Sequence, residues 1–311
     1  MNKITRSVYY RVKPIVPRRF QIFLRVKEIA LKRARYSNAW PILEGTDQPP
    51  PGWKGWPDGK KFALILTHDV DTARGQDRCR DLMKMEEKLG FSSLFNLVPE
   101  RYAVSSELRN KLERNGFEIG VHGLNHDGKL FQSKALFEER AIKINRYLKQ
   151  WNAVGFRAPA MHHNLDWMAA LNIEYDLSTF DTDPFEPQSD GVKTIYPFMV
   201  NARRQGNDYI EMPYSLAQDF TLFILMQEQN IDIWIKKLDW IAERGGMALI
   251  NTHPDYMNFG GGKSSFEEYP AAYYREFLEY VLTKFKGQYW HVLPKTMAAF
   301  WKSMSQSNVQ S

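Results

Sequence analysis

Residues 62–71 read FALILTHDVD. The first six, FALILT, form a short apolar run of the kind that makes a strand buried on both faces. His68, Asp69, Val70 and Asp71 follow at once. In parallel α/β folds the reactive groups gather just beyond the carboxyl ends of the strands, so this stretch supplies both a strand and a candidate chemistry. Seven further runs have strand character: 94–98 (LFNLV), 117–121 (FEIGV), 154–156 (VGF), 173–175 (IEY), 209–212 (YIEM), 247–251 (MALIN) and 290–293 (WHVL). Helical patterns lie between several of them, at 78–89, 106–114, 134–151, 165–171, 231–244 and 271–286. The helix at 106–114 has Ser105 as its cap and Gly116 as its stop. The alternation predicts an α/β fold built as a closed or nearly closed parallel barrel, with a doubly wound open sheet as the alternative.

The strand ends carry a consistent set of groups. Asp69 and Asp71 follow the first strand, and His122 and His126 follow FEIGV. Arg157-Ala158-Pro159 follows VGF, Asp176 follows IEY, and His253-Pro254-Asp255 follows MALIN. A close pair of acids can bind a cation or divide into a base and a ligand; taken alone, the pair also reads as a solvated turn. Two imidazoles four residues apart face one way on a helical turn, as a metal requires. Two His and one carboxylate leave positions open for water, the pattern of a catalytic rather than a structural zinc site. His253 is the candidate general acid, and Arg157 is suited to hold an anionic base. His162 and His163 are adjacent and diverge, which reads as a loop or supporting position, and His291 reads as structural. Trp151, Trp167, Trp234 and Trp240 are candidate sugar-stacking faces but equally core residues.

In order along the chain, these segments resemble the motifs of the polysaccharide deacetylase family, carbohydrate esterases that share the NodB homology domain. The resemblance spans residues 62–300. The acidic first motif is similar to Thr67-His68-Asp69-Val70-Asp71, and the HSxxH motif to His122-Gly123-Leu124-Asn125-His126. The Arg-x-Pro motif is similar to Arg157-Ala158-Pro159, the fourth motif to Tyr175-Asp176-Leu177-Ser178, and the final His motif to Leu249–Pro254. This sequence departs from the pattern in three places. Val70 separates two acids that are usually adjacent, Gly123 replaces Ser or Thr, and the fourth segment lacks its Trp, so Asp181 or Asp183 could equally fill the Asp176 role. The resemblance implies a distorted (β/α)7 barrel holding one divalent ion, usually zinc, through Asp71, His122 and His126. It implies Asp69 as base, Arg157 orienting it, His253 as acid and Asp176 positioning a neighbour. The implied reaction removes an N-acetyl or O-acetyl group from an acetylated sugar or oligosaccharide. Two alternatives stand beside it: a metal-dependent amidase acting on a small non-sugar amide, and an inactive carbohydrate-binding barrel.

Composition frames this reading. In 311 residues, 43% hydrophobic and 25% charged, there is enough apolar surface for a large core. The single cysteine, Cys79, makes neither an internal disulfide nor a Cys-based zinc site. The net charge of +6 is uneven: residues 1–36 hold eleven Lys and Arg against Glu28 alone, so the body sums to −4 and offers no basic face for nucleic acid. Ile22, Phe23, Val26, Ile29 and Ala30 recur at helical spacing among those basic residues. Such a segment either contacts an anionic membrane surface or packs over the barrel, and Pro14 and Pro17 should keep any helix short. The first twenty residues lack a signal peptide's apolar run, and the longest apolar stretch is 220–226. The expectation is a cytoplasmic protein, peripheral to the inner membrane face if the leader binds lipid. The expected division is a basic extension at 1–48, a Pro/Gly/Trp-rich loop at 49–61, a catalytic barrel at 62–302 and a polar tail at 303–311.

Overall fold

The computed structural model describes residues 16–202, 207–262 and 264–307. The strands, in chain order, are β1 (Phe62–Val70), β2 (Leu94–Leu97), β3 (Glu118–His122), β4 (Gly155–Arg157), β5 (Tyr175–Asp176), β6 (Phe198–Val200), β7 (Tyr209–Glu211), β8 (Met247–Thr252), β9 (Met257–Asn258), β10 (Tyr269–Pro270) and β11 (Tyr289–His291). The helices are α1 (Arg18–Arg35), α2 (Ala73–Leu89), α3 (Ser106–Arg114), α4 (Lys134–Gln150), α5 (Leu165–Met168), α6 (Asp232–Arg244), α7 (Ala272–Lys284) and α8 (Pro294–Ser307).

Seven strands run parallel in the order β8, β1, β2, β3, β4, β5, β7. The ring closes beyond β7, where Leu216 bridges Ile250 of β8 and Ser215 N–H donates to the Leu249 carbonyl at 3.1 Å. This is the distorted (β/α)7 barrel that the motif order implies. β8 takes one edge of β1 at Ala63–His68; β11 and β2 share the other, at Phe62–Leu64 and Thr67–Val70. All nine residues of β1 are buried, as a central parallel strand requires. β6 turns back antiparallel on β7, a hairpin arm the apolar runs did not reveal.

Helix ends follow local chemistry. Ser105 and Ser133 accept from Leu108 N–H and Leu136 N–H, capping α3 and α4. Gly90 and Gly245 end α2 and α6 in the left-handed conformation. The pattern at 165–171 yields a single helical turn, Leu165–Met168. The unforeseen α8 begins at Pro294, a favoured first helical position. It buries Met297, Ala298 and Trp301, and Trp53 and Trp56 of the Pro/Gly-rich loop pack on Trp301. Trp56 Nε1 donates to the Gly245 carbonyl just before β8, at 2.6 Å. That loop therefore lies at the amino ends of the strands, opposite the reactive rim.

The described part of the leader lies against the barrel. Pro17 starts α1 rather than breaking it, and the helix runs for 18 residues. Ile22 and Ile29 are buried, with Val26 packed beside them. The helix lies along a π-helical segment, Phe220–Leu225, with the guanidinium of Arg25 5.1 Å from the centre of the Phe220 ring. Arg18 pairs with Glu267 at 2.7 Å, and Arg33 pairs with Glu228. Residues 1–15, which include Pro14, lie outside the described residues. Among those described, no helix is long and apolar enough to cross a membrane.

Candidate metal centre and active site

β1 continues through His68 and Asp69 to Val70, pairing with β2 along Thr67–Val70. Asp69 is therefore a strand residue and not part of a solvated turn. Alternate residues of an extended chain face the same way, so the intervening Val70, itself fully buried, is what brings Asp69 and Asp71 to one rim. His122 closes β3. The chain then turns through Gly123, with φ +62°, and reaches His126 at φ +51°. A side chain at Gly123 would meet the Pro159 ring at 2.6 Å, so the site admits only glycine without a shift. The two imidazoles meet with ring centres 5.2 Å apart. A strand end and a left-handed turn produce that meeting, not the helical turn expected from the spacing.

One ligand atom each of Asp71, His122 and His126 lies within 4.8 Å of the others. His126 Nε2 is 2.9 Å from Asp71 Oδ1, and His122 Nε2 is 3.5 Å from it. Yet Asp71 Oδ1 is buried and makes no hydrogen bond. His122 Nδ1 lies 2.9 Å from the Arg157 carbonyl, which can only accept, so Nδ1 carries the proton and Nε2 offers a lone pair. A buried oxygen lacking a donor, with two imidazole nitrogens converging on it, fits a borderline divalent cation with nitrogen and oxygen ligands.

Asp69 sits beside this group and is tied on both oxygens. Asn96 Nδ2 donates to Oδ1 at 2.9 Å, Arg157 Nη1 to Oδ1 at 3.1 Å, and Asn251 Nδ2 to Oδ2 at 2.8 Å. Arg157 is fully buried. It also donates to Thr67 Oγ1, Asn251 Oδ1 and the Leu177 carbonyl, at 2.9, 2.6 and 2.9 Å. Burial alone would raise the Asp69 pKa. The Arg157 charge, then His122 and His253, outweigh it and hold the carboxyl well below the usual carboxylate range.

His253 faces Asp69 with its Nε2 4.0 Å from Oδ2. Behind it stands Asp219, whose Oδ1 takes His253 Nδ1 at 2.6 Å; its Oδ2 accepts from His253 N–H at 2.7 Å and Tyr269 OH at 2.9 Å. Burial disfavours the imidazolium, but Asp219 wins and pushes the His253 pKa up to about 10. The sign follows directly. The protonated form, and the stability it brings, is fully present below about pH 6.5 and is lost as pH rises through the folded value. Replacing Asp219 with Asn is therefore expected to move the alkaline limb of any His253-dependent rate downward. An unchanged alkaline limb in Asp219→Asn would show that Asp219 does not set the charge of His253.

The acids expected to fill the fourth-motif role are bonded to groups other than His253. Asp176 accepts from Ser178 Oγ at 2.7 Å and Ser178 N–H at 3.0 Å. Burial raises its pKa, against the opposing hydrogen bonds of Glu211 and Ser178. Asp181 holds Lys237 in a buried ion pair at 2.6 Å. Asp183 shares the Tyr214 hydroxyl with Glu186, and burial and that second acid push it up to about 8. Each has a structural partner, and Asp219 is the acid bonded to His253. Asp255, a strand-end acid to which the sequence assigns no role, accepts from Asp71 N–H at 2.9 Å through Oδ2 and binds the Thr72 hydroxyl, tying the β8 and β1 ends together.

The remaining candidates pack. His291 Nδ1 meets the Leu64 carbonyl at 3.2 Å, the structural role expected. His163 Nδ1 meets the Met161 carbonyl at 2.9 Å, whereas His162 lines a small cleft beside His126. Trp234 is fully buried and donates to the Ala217 carbonyl at 2.7 Å. Trp151 and Trp240 are buried and Trp167 is partly buried.

No family model and no curated protein matches the sequence. Solved structures do. A Mycobacterium smegmatis protein described as a polysaccharide deacetylase superposes with a TM-score of 0.64 at 18% identity, over 83% of this chain and 96% of its own. The Puue allantoinase gives 0.64 at 16% identity over the same shares. A Pseudomonas aeruginosa PAO1 protein described as a polysaccharide deacetylase gives 0.60 at 15%, over 79% and 92%. This chain has the fold of the polysaccharide deacetylases in a divergent sequence, and the same fold is shared by an allantoinase.

Proposed function

We propose that this protein is a metal-dependent hydrolase that removes an acetyl group, on nitrogen or oxygen, from a carbohydrate, in the metabolism of surface polysaccharides. One observation carries the reading: three residues able to hold a metal stand beside Asp69, whose carboxyl is paired with the buried Arg157, and His253, backed by Asp219, faces it across 4.0 Å. Binding alone needs neither an anchored base nor a charged acid, which argues against an inactive barrel. Asp71, His122 and His126 would hold the metal, most simply zinc, since two imidazoles and one carboxylate make a catalytic zinc ligand set. When bound, the metal supplies Lewis acidity that polarises the acetyl carbonyl and acidifies water.

The chain's own groups do the rest. Asp69 accepts the proton of the attacking water through its rim-facing oxygen. Held so acidic by Arg157, it stays ionised throughout the working pH range. Proton uptake is then driven by the acidity of the water rather than by the basicity of the carboxylate. Water oxygen bonds to the acetyl carbon, the carbon–nitrogen or carbon–oxygen bond breaks, and His253 Nε2 protonates the leaving amine or alcohol. Asp219, Asn96, Asn251 and Arg157 act as positioning residues.

The test joins metal analysis of the purified protein with acetate release from a panel of N- and O-acetylated sugars. One equivalent of divalent metal and release that a chelator stops are expected. Stoichiometric metal with no acetate from any sugar, but with hydrolysis of small cyclic or linear amides, would favour the amidase reading. That reading has the allantoinase likeness on its side.

A further inference from the structure

Helix α1 has two apolar faces. Ile22, Val26 and Ile29 take the inner one. Phe20, Leu24, Lys27 and Leu31 recur at the spacing of a single helix stripe on the opposite side. Their apolar members are not covered: Phe20 is 52% exposed, Leu24 51% and Leu31 79%, with Phe23 at 53% on the flank. Four large apolar side chains on one face of one helix make a patch and not scattered exposure. The charge around it is one-sided. Arg18, Lys32 and Arg33 find Glu267, Glu28 and Glu228, whereas Arg19, Lys27 and Arg35 have no carboxylate partner among the described residues. Lys27 instead lies 5.6 Å from the centre of the Phe23 ring, and Arg19 4.9 Å from that of the half-exposed Phe266. The sequence before α1 adds Lys3, Arg6, Arg11 and Lys13 with no acid.

The inner side of the same helix reaches the reactive rim. Arg18 and Arg25 lie over Phe220; Phe220 packs on Tyr256 at 4.8 Å, and Tyr256 on His253 at 5.3 Å. We propose that the outward face of α1 docks on an anionic lipid surface, with Phe20, Phe23, Leu24 and Leu31 entering the headgroup layer and Lys27 and Arg35 meeting its negative charge. Charge complementarity selects this occupant: an apolar stripe flanked by basic groups without acid partners suits an anionic bilayer, and a second copy would bring like charges together. The docking stands without the hydrolase reading. Joined to that reading, it makes the substrate class an acetylated sugar carried on a membrane lipid.

The experiment uses the full chain with vesicles of phosphatidylcholine alone and of phosphatidylcholine with about a third phosphatidylglycerol. Co-sedimentation with the anionic vesicles at low salt, its loss as salt is added, and little binding to the neutral ones are expected. Leu24→Ser with Leu31→Ser should abolish binding. Lys27→Gln and Arg35→Gln should each weaken it roughly fivefold. All four positions are exposed, so thermal unfolding and acetate release from soluble sugars should not change. Equal binding to neutral vesicles, or undiminished binding by the Leu24/Leu31 variant, overturns the proposal. So does a soluble dimer that this variant dissociates, which would assign the face to a second copy. Acetate release is measured on the same samples, so a failed vesicle result and a failed hydrolase reading are told apart.

Discussion

His122→Ala is expected to lose most bound divalent metal and all metal-dependent activity. His122 is one of the three residues proposed to hold the metal, the group that converges among the described residues, and its Nε2 is fixed by the bond from Nδ1 to the Arg157 carbonyl. Alanine leaves two ligands, too few to complete a site of the kind three residues and water build. It also strands the Arg157 carbonyl, so some loss of stability is expected in a residue only 2% exposed. His126→Ala separates the two effects. His126 sits half-buried on a turn, so its loss should remove the metal at less cost to folding. Metal content of both folded variants checks the assignment, and stoichiometric metal retained in either would sink it.

The fold could be read where apolar runs are continuous and strands are buried on both faces, because burial then dictates residue type directly. FALILT and MALIN are such runs, and both lie in the two longest barrel strands. β1 runs on past its apolar run through the polar His68 and Asp69. Burial there is sustained by partners distant in sequence: Glu86 and Thr252 for His68, Arg157 and Asn251 for Asp69. β6 is a three-residue arm with partly exposed side chains, and so short a segment has no periodicity to read. α8 did carry a signal, a proline followed by Met297, Ala298 and Trp301 at helical spacing.

Among site residues, Asp69, Asp71, His122, Arg157 and His253 lie at or just beyond strand ends, where topology gathers side chains, and the local sequence names them. Asn96 and Asn251 also left a trace, as single amides inside apolar strands. Asp219 left none. It follows no strand directly, and its role depends on Tyr269, fifty positions downstream, and on the first residue of a π-helical segment. Only the closed barrel brings it behind His253.

The sharpest division of labour within the site lies between its two neighbouring carboxylates. Asp71→Asn should lose the metal, because the substitution takes the charge from the oxygen on which both imidazoles converge. Asp69→Asn should keep the metal and cut acetate release by roughly 10⁴-fold, the upper end of what general base catalysis supplies. The amide can still accept from Asn96, but it offers nothing to take water's proton. It also leaves the fully buried Arg157 without its counter-charge, and removing one partner of a buried pair costs about 3–5 kcal/mol. Urea unfolding therefore accompanies the kinetics, and the comparison is made where the variant remains folded. His253→Ala, lying on the far side of Asp69, should also keep the metal and lose roughly 10²–10⁴-fold, with the alkaline limb of the pH profile gone. If Asp69→Asn releases the metal while Asp71→Asn retains it, the ligand and the base have exchanged places. Val70 would then set two carboxylates on one face with roles opposite to those their hydrogen bonds indicate.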